Sequence, residues 1–165
     1  MSERLSFFYD KFLLIFLLVS NSIHGYAYET TLTLTGTTTA GDQVTTIFTR
    51  EQLEQLPQSS ITTHLPWITD QSTFTGVKLS ALLAIYNLQP STIHLRALND
   101  YATTVSWTHI RKYEPIIATR QDNQPLRIRD YGPYWLIFSI DQYPELNQRK
   151  YQGKMVWQLE TITTE

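Results

Sequence analysis

Residues 134-YWLIFSI-140 are apolar or aromatic apart from Ser139. A strand that is apolar on both faces has to be covered on both faces. The rest of the chain must therefore supply a core around this segment. With 165 residues the prior is a single domain. There is no cysteine, so that core must hold without disulfides. Thiolate metal ligation, cysteine nucleophiles and Fe–S clusters are excluded with it.

What surrounds the run is mostly short alternating segments rich in threonine, a β-leaning pattern. Residues 30-TTLTLTG-36 and 41-GDQVTTIFT-49 read as two hairpin-linked strands. A short helix starts at Thr49, where Gln52 completes a capping box and Phe48 with Leu53 fits a hydrophobic staple. Pro57 ends it. A third strand is expected at about 60–65 and an irregular loop over 66–76. The strongest helical pattern is 77-VKLSALLAIYNL-88, with Leu79, Leu82, Leu83 and Tyr86 on one face. Then 92-TIHLRAL-98 puts Ile93, Leu95 and Ala97 on one strand face and His94 and Arg96 on the other. After a bend at Asn99-Asp100 a strand returns over 101–107. A helical turn at 108–113, a strand at 115–120, a turn at Asp122-Asn123-Gln124, the central strand 134–140 and a last strand at about 154–163 complete the chain. Helices do not alternate regularly with strands. The expected class is therefore α+β, with β-rich mixed sheets and a few short helices.

The N-terminus reads as an export signal. Arg4 and Lys11 precede the apolar run 12-FLLIFLLV-19, too short to span a bilayer comfortably. Gly25-Tyr26-Ala27 offers small residues for a cut before Tyr28. The expected organisation is a signal peptide over 1–27 and one exported, periplasmic domain over 28–165. An uncleaved N-terminal anchor is the alternative. Formal net charge is -2, which gives no electrostatic case for nucleic acid.

Two segments carry the charges that suggest a site. In 125-PLRIRDYGP-133, Arg127 and Arg129 read as one strand face, a cationic stripe at the mouth of the buried run. Asp130 is placed to pair with either. A guanidinium there can grip a carboxylate, sulfate or phosphate by two parallel bonds. The competing reading is a solvated turn. The second segment is Asn99-Asp100-Tyr101, which alone is a turn-former. His64, His94 and His109 show no metal-ligand spacing. No G-x-S-x-G elbow supports serine hydrolase chemistry. Trp67, in a loop, is the tryptophan placed to wall a cleft, with His64 and Trp135 as further wall candidates.

Four phrases in order, 74-FTGVKLSALL-83, 97-ALNDYATTVSW-107, 116-IIATRQDNQPLRIRDYGPYWLIF-138 and 155-MVWQLETI-162, resemble the molybdopterin-binding domain of the sulfite oxidase family, particularly its small, free-standing exported members. The resemblance covers most of residues 30–163. It implies a compact β-rich α+β fold and a molybdenum–pterin cofactor that oxidises sulfite or reduces sulfoxides. It also implies that the 127–130 segment and the 99–101 bend border the cofactor cleft. The family's metal-ligating cysteine would fall in 63-THLPWITD-70, which has none. An arginine expected after the Gly-x-Pro phrase is replaced by the aromatics Tyr134 and Trp135, and a lysine before Trp157 by Val156. Loss of the thiolate and two cations argues against cofactor binding.

The expectation is thus a periplasmic binding or sensory module with molybdenum catalysis lost and no cofactor. Its ligand would be a small anion or polar molecule held by Asn99, Asp100, Tyr101, Arg127, Arg129 and Asp130. One rival is a molybdopterin-dependent oxidoreductase that keeps its cofactor without a cysteine ligand. The other is a structural partner of an exported or membrane signalling protein.

Overall fold

The computed structural model describes residues 30–165. The expected signal segment lies outside the described residues. The described chain is a mixed α+β fold, rich in strands, with two open sheets and a few short helices.

The first sheet has the order β2-β1-β10-β5-β6. Its members are β1 (Leu32–Thr37), β2 (Gln43–Phe48), β5 (Thr92–Ala97), β6 (Ala102–Ser106) and β10 (Leu159–Thr164). β1 and β10 run parallel, Leu34 beside Ile162, and the remaining pairs are antiparallel. Alternation decides which face is buried. Leu32, Leu34, Ile93, Leu95 and Ile162 point inward, while Thr33, Thr35, His94 and Arg96 point outward.

The second sheet runs β3 (Gln58–Thr63), β4 (Ser72–Lys78), β7 (Ile116–Gln121). β8 (Gln124–Pro125) and β9 (Trp135–Ile137) pair with successive stretches of β7. The Asp122-Asn123 turn has positive φ at both residues, 48° and 64°, as a tight hairpin turn requires.

Helices close the ends. In α1 (Arg50–Glu54) the expected capping box is present: Thr49 Oγ1 accepts from the Gln52 amide, and Gln52 Oε1 accepts from the Thr49 amide. α2 (Leu79–Ile85) buries Leu79, Leu82 and Leu83, the predicted face, and Tyr86 packs edge-on against Phe48. Ser106 caps α3 (Trp107–Tyr113). α4 (Arg149–Gln152) is a single turn. Both sheets and α2 feed one hydrophobic cluster.

Several boundaries differ from expectation, each for a physical reason. The expected loop 66–76 contains most of β4, because two of its three inward positions there, Ser72 and Gly76, flank Phe74 without apolar signal. A Cβ on Gly76 would lie 1.9 Å from the Ile117 carbonyl oxygen, so glycine lets β4 and β7 approach. The run 134–140 is buried throughout, yet only Trp135–Ile137 pair as a strand. Beyond it Thr63 Oγ1 accepts from the amides of Ile140 and Asp141, and Tyr143 N–H donates to Ser139 O. These bonds pull the chain out of the ladder. The last strand starts at Leu159 rather than near 154, because Gln158 takes a left-handed φ of 51°. The supposed cationic strand at 127–129 is a 3₁₀ turn, Ile128–Asp130, so alternation does not put Arg127 and Arg129 on one strand face.

Candidate functional site

The turn after β8 is fixed from its backbone. Arg50 donates through Nη1 to Thr119 O and through Nη2 to Leu126 O. The amides of Asp130 and Gly132 both donate to Arg127 O. Gly132 is required here, because a Cβ would lie 2.5 Å from the Leu126 carbonyl carbon. The Gly132-Pro133 peptide is cis. Arg127 Nε lies 2.6 Å from Asp130 Oδ2, and Arg129 Nε 3.6 Å from the same oxygen. Both guanidinium groups are exposed, at 64% and 73%. They rim an open cavity of about 970 Å³ whose lining includes Gln121, Asp122, Gln124 and Tyr131.

Tyr131, with φ of 67°, turns its ring inward. The ring sits 4.7 Å from that of Trp135 and 5.6 Å from that of Trp157, and its hydroxyl donates to Trp67 O. Trp67 and Trp157 meet edge to face at 5.3 Å. Trp135 is fully buried behind them, its Nε1 donating to Met155 O.

On the other side of this aromatic wall is a second pocket of about 200 Å³. Trp67, Trp157, Tyr101, Met155, Asn99 and Gln152 contribute to its lining, which contains no Asp, Glu, Lys or Arg. Tyr101 is half exposed at 47%, and its hydroxyl donates to Gly153 O at 2.8 Å. Asn99 Oδ1 accepts from the Tyr101 amide, which leaves the Asn99 amide nitrogen as a donor. The bend itself turns at Asp100, φ 64°.

The residues singled out from sequence thus fall into two adjoining cavities. Arg127, Arg129 and Asp130 line the first; Asn99, Tyr101 and Trp67 line the second. Asp100 lines neither and pairs outward with Arg96 at 3.4 Å. Trp135 is the core behind the wall. His64 stands apart: its Nδ1 and its amide both meet Asp141 Oδ2, which also accepts from Gln71. The Gln71 bond first, opposed next by burial, and then the bonds and charge of His64 hold the Asp141 carboxyl below its usual range. This cluster ties loop 64–71 to the end of the buried run.

Sequence reasoning missed Gln158, which joins the two cavities' frames. Its amide donates to Tyr131 O, its carbonyl accepts from the Leu98 amide, and its side-chain nitrogen donates to Ile128 O. It also missed the wall supplied by Gln152, Gly153 and Met155: the first two were assigned to no element, and Met155 read as the start of a strand. No ordinary sequence signal marks a left-handed glutamine.

Among the described residues no cluster of His, Asp and Glu could hold a metal ion. No helix among them is long and apolar enough to cross a membrane. No family model matches the chain, and no curated protein matches it.

Proposed function

We propose that this chain is an exported ligand-binding module, built on a fold like the sulfite oxidase molybdopterin-binding domain with the molybdenum chemistry lost. One observation carries the reading: an uncharged, aromatic pocket of about 200 Å³ backs onto a cavity rimmed by Arg127 and Arg129. Small-molecule sites are concave and mostly apolar, with a few placed polar groups. Trp67, Tyr101 and Trp157 suit a flat ring, and Asn99 supplies a donor for an acceptor on its edge. The arginines across the wall draw an acidic group to the same end of the domain.

The residues present do not fit a molybdenum–pterin cofactor. The chain has no cysteine. In the loop where one would fall, Thr63 is spent on backbone amides and His64 on Asp141. Trp135 is fully buried, and Val156 gives the pocket an apolar wall where the family carries a lysine. A pyrophosphate would find no cation in that pocket.

The test is a thermal-shift and fluorescence screen of small aromatic acids, amides and nucleobases. A ligand that shifts wild type should bind Tyr101→Ala more weakly by about 0.5–1.5 kcal/mol, the worth of an aromatic contact. Arg129→Ala should weaken acids and spare neutral compounds. Absence of any shift across the panel, or equal shifts in wild type and Tyr101→Ala, would overturn the reading.

A further inference from the structure

The cations of this domain are unevenly served. Lys78, Arg96, Lys112, Arg120, Arg127 and Arg129 each lie within ion-pair distance of a carboxylate. Arg50 is satisfied by two carbonyls. Among the described residues, the other cations without an acid partner are Arg111, Arg149, Lys150 and Lys154. Arg149, Lys150 and Lys154 belong to α4 and the turn after it, whereas Arg111, on α3, lines a separate cavity with Lys78 and Glu114. In a chain whose net charge is -2, this is a local excess of the opposite sign.

The surface there has a definite construction. The His109 ring lies between Tyr113, at 5.0 Å, and Tyr151, at 5.1 Å. Lys112 Nζ sits 4.5 Å from the Tyr113 ring centre, and Lys150 Nζ 4.6 Å from that of Tyr151. Lys154 Nζ is held on Thr104 O at 2.6 Å. Burial first, then the charges of Lys154, Lys112 and Lys150, hold the His109 imidazole below its ordinary value, so the lysine charges converge on one spot. Lys112 and Tyr113 both donate to Glu145 Oε1.

We propose that this face, centred on His109 with Lys112, Lys150 and Lys154 and flanked in α4 by the exposed Arg149, docks on an anionic lipid bilayer. Charge complementarity names an anionic partner, and the shape decides which one. The hollow between His109, Phe138, Leu146, Tyr151 and Lys154 has no room for a water molecule, so it receives no peptide side chain. The tyrosine rings have lysine and histidine on their faces, which leaves poor platforms for stacking bases. Exposed lysine ammonium groups beside the half-buried Tyr151 ring are suited to a headgroup layer, where charged tips meet phosphates.

The experiment is co-sedimentation of the full chain with vesicles of phosphatidylcholine alone or with about 30% phosphatidylglycerol. Any contribution of the apolar run 12–19 enters both vesicle types, so the quantity read is the difference between them. The chain should bind the anionic vesicles at least ~10-fold more tightly, and salt at about 0.5 M should abolish that difference. Because Lys154 also holds a carbonyl, the variant is Arg149→Glu with Lys150→Glu, checked for an unchanged melting temperature. It should lose most of the difference. Equal binding to the two vesicle types, or an undiminished variant, would overturn the proposal. So would competition by millimolar glycerol phosphate, which would mark a single-anion site instead. Binding to polyglutamate without binding to anionic vesicles would overturn it in favour of an acidic polypeptide.

Discussion

Replacing Trp135 by arginine separates a core position from a cofactor-binding one. Trp135 is fully buried, between the rings of Tyr131 at 4.7 Å, Phe74 at 5.5 Å and Trp67 at 6.0 Å. Its indole N–H satisfies Met155 O at 3.1 Å. Losing a buried tryptophan costs about 3–5 kcal/mol. The arginine stem refills part of that volume, but its guanidinium is placed among the rings of Tyr131, Phe74 and Trp67 and adds several kcal/mol of desolvation. The expected sum is roughly 5–8 kcal/mol, comparable to the whole stability of a domain at about 5–15 kcal/mol. Trp135→Phe is the control. It keeps a ring and removes the N–H, leaving Met155 O short of a donor for about 1–3 kcal/mol. Urea unfolding followed by circular dichroism reads both, with unchanged slopes expected for Trp135→Phe. Trp135→Arg should be largely unfolded without denaturant. If it stays within ~1 kcal/mol of wild type and gains affinity for anions, position 135 opens on a cavity and the reasoning fails.

Three further perturbations test local parts of the account. Thr49→Ala removes the acceptor of the capping box and should cost about 1 kcal/mol in urea unfolding, with no loss for Thr45→Ala on the exposed face of β2. Gly76→Ala drives a methyl into the Ile117 carbonyl and should cost more than about 3 kcal/mol; a loss near zero would mean β4 and β7 are not in contact there. His109 titrates below its ordinary 6.5 in the folded chain, so the unfolded chain takes up a proton first as pH falls. Its contribution to stability is complete above about pH 6.5 and is lost as pH drops through the folded value. An NMR titration should place the folded imidazole below 6.5, and His109→Phe should flatten the slope of stability between about pH 7 and 5.

What was legible in the sequence was what local chemistry determines. The Thr49–Gln52 box, the inward Ile93, Leu95 and Ala97, and the α2 face all follow from spacing, and the structure has each. The burial of 134–140 was legible too, but its pairing was not. Its last residues are held by Thr63, distant in sequence. β4 hid because Ser72 and Gly76, beside Phe74 on its inward face, are small and depend on the approach of β7. The two candidate segments, 99–101 and 127–130, do become neighbours, yet an aromatic wall divides them. That wall depends on the left-handed turns at Tyr131 and Gln158, and the bonds of Gln158 connect segments from three regions of the chain. No window of neighbouring residues contains that information.

The central claim, a binding module without molybdenum chemistry, is tested most directly by metal and pterin analysis of the protein itself. The full chain would be produced in molybdate-fed bacteria that make the cofactor, then measured for molybdenum and for extractable pterin per chain. Without a thiolate anywhere in the chain and with no cation lining the aromatic pocket, molybdenum far below one atom per chain and no pterin are predicted. Near-stoichiometric molybdenum with extractable pterin would contradict the account and make the chain an oxidoreductase that holds its cofactor without cysteine.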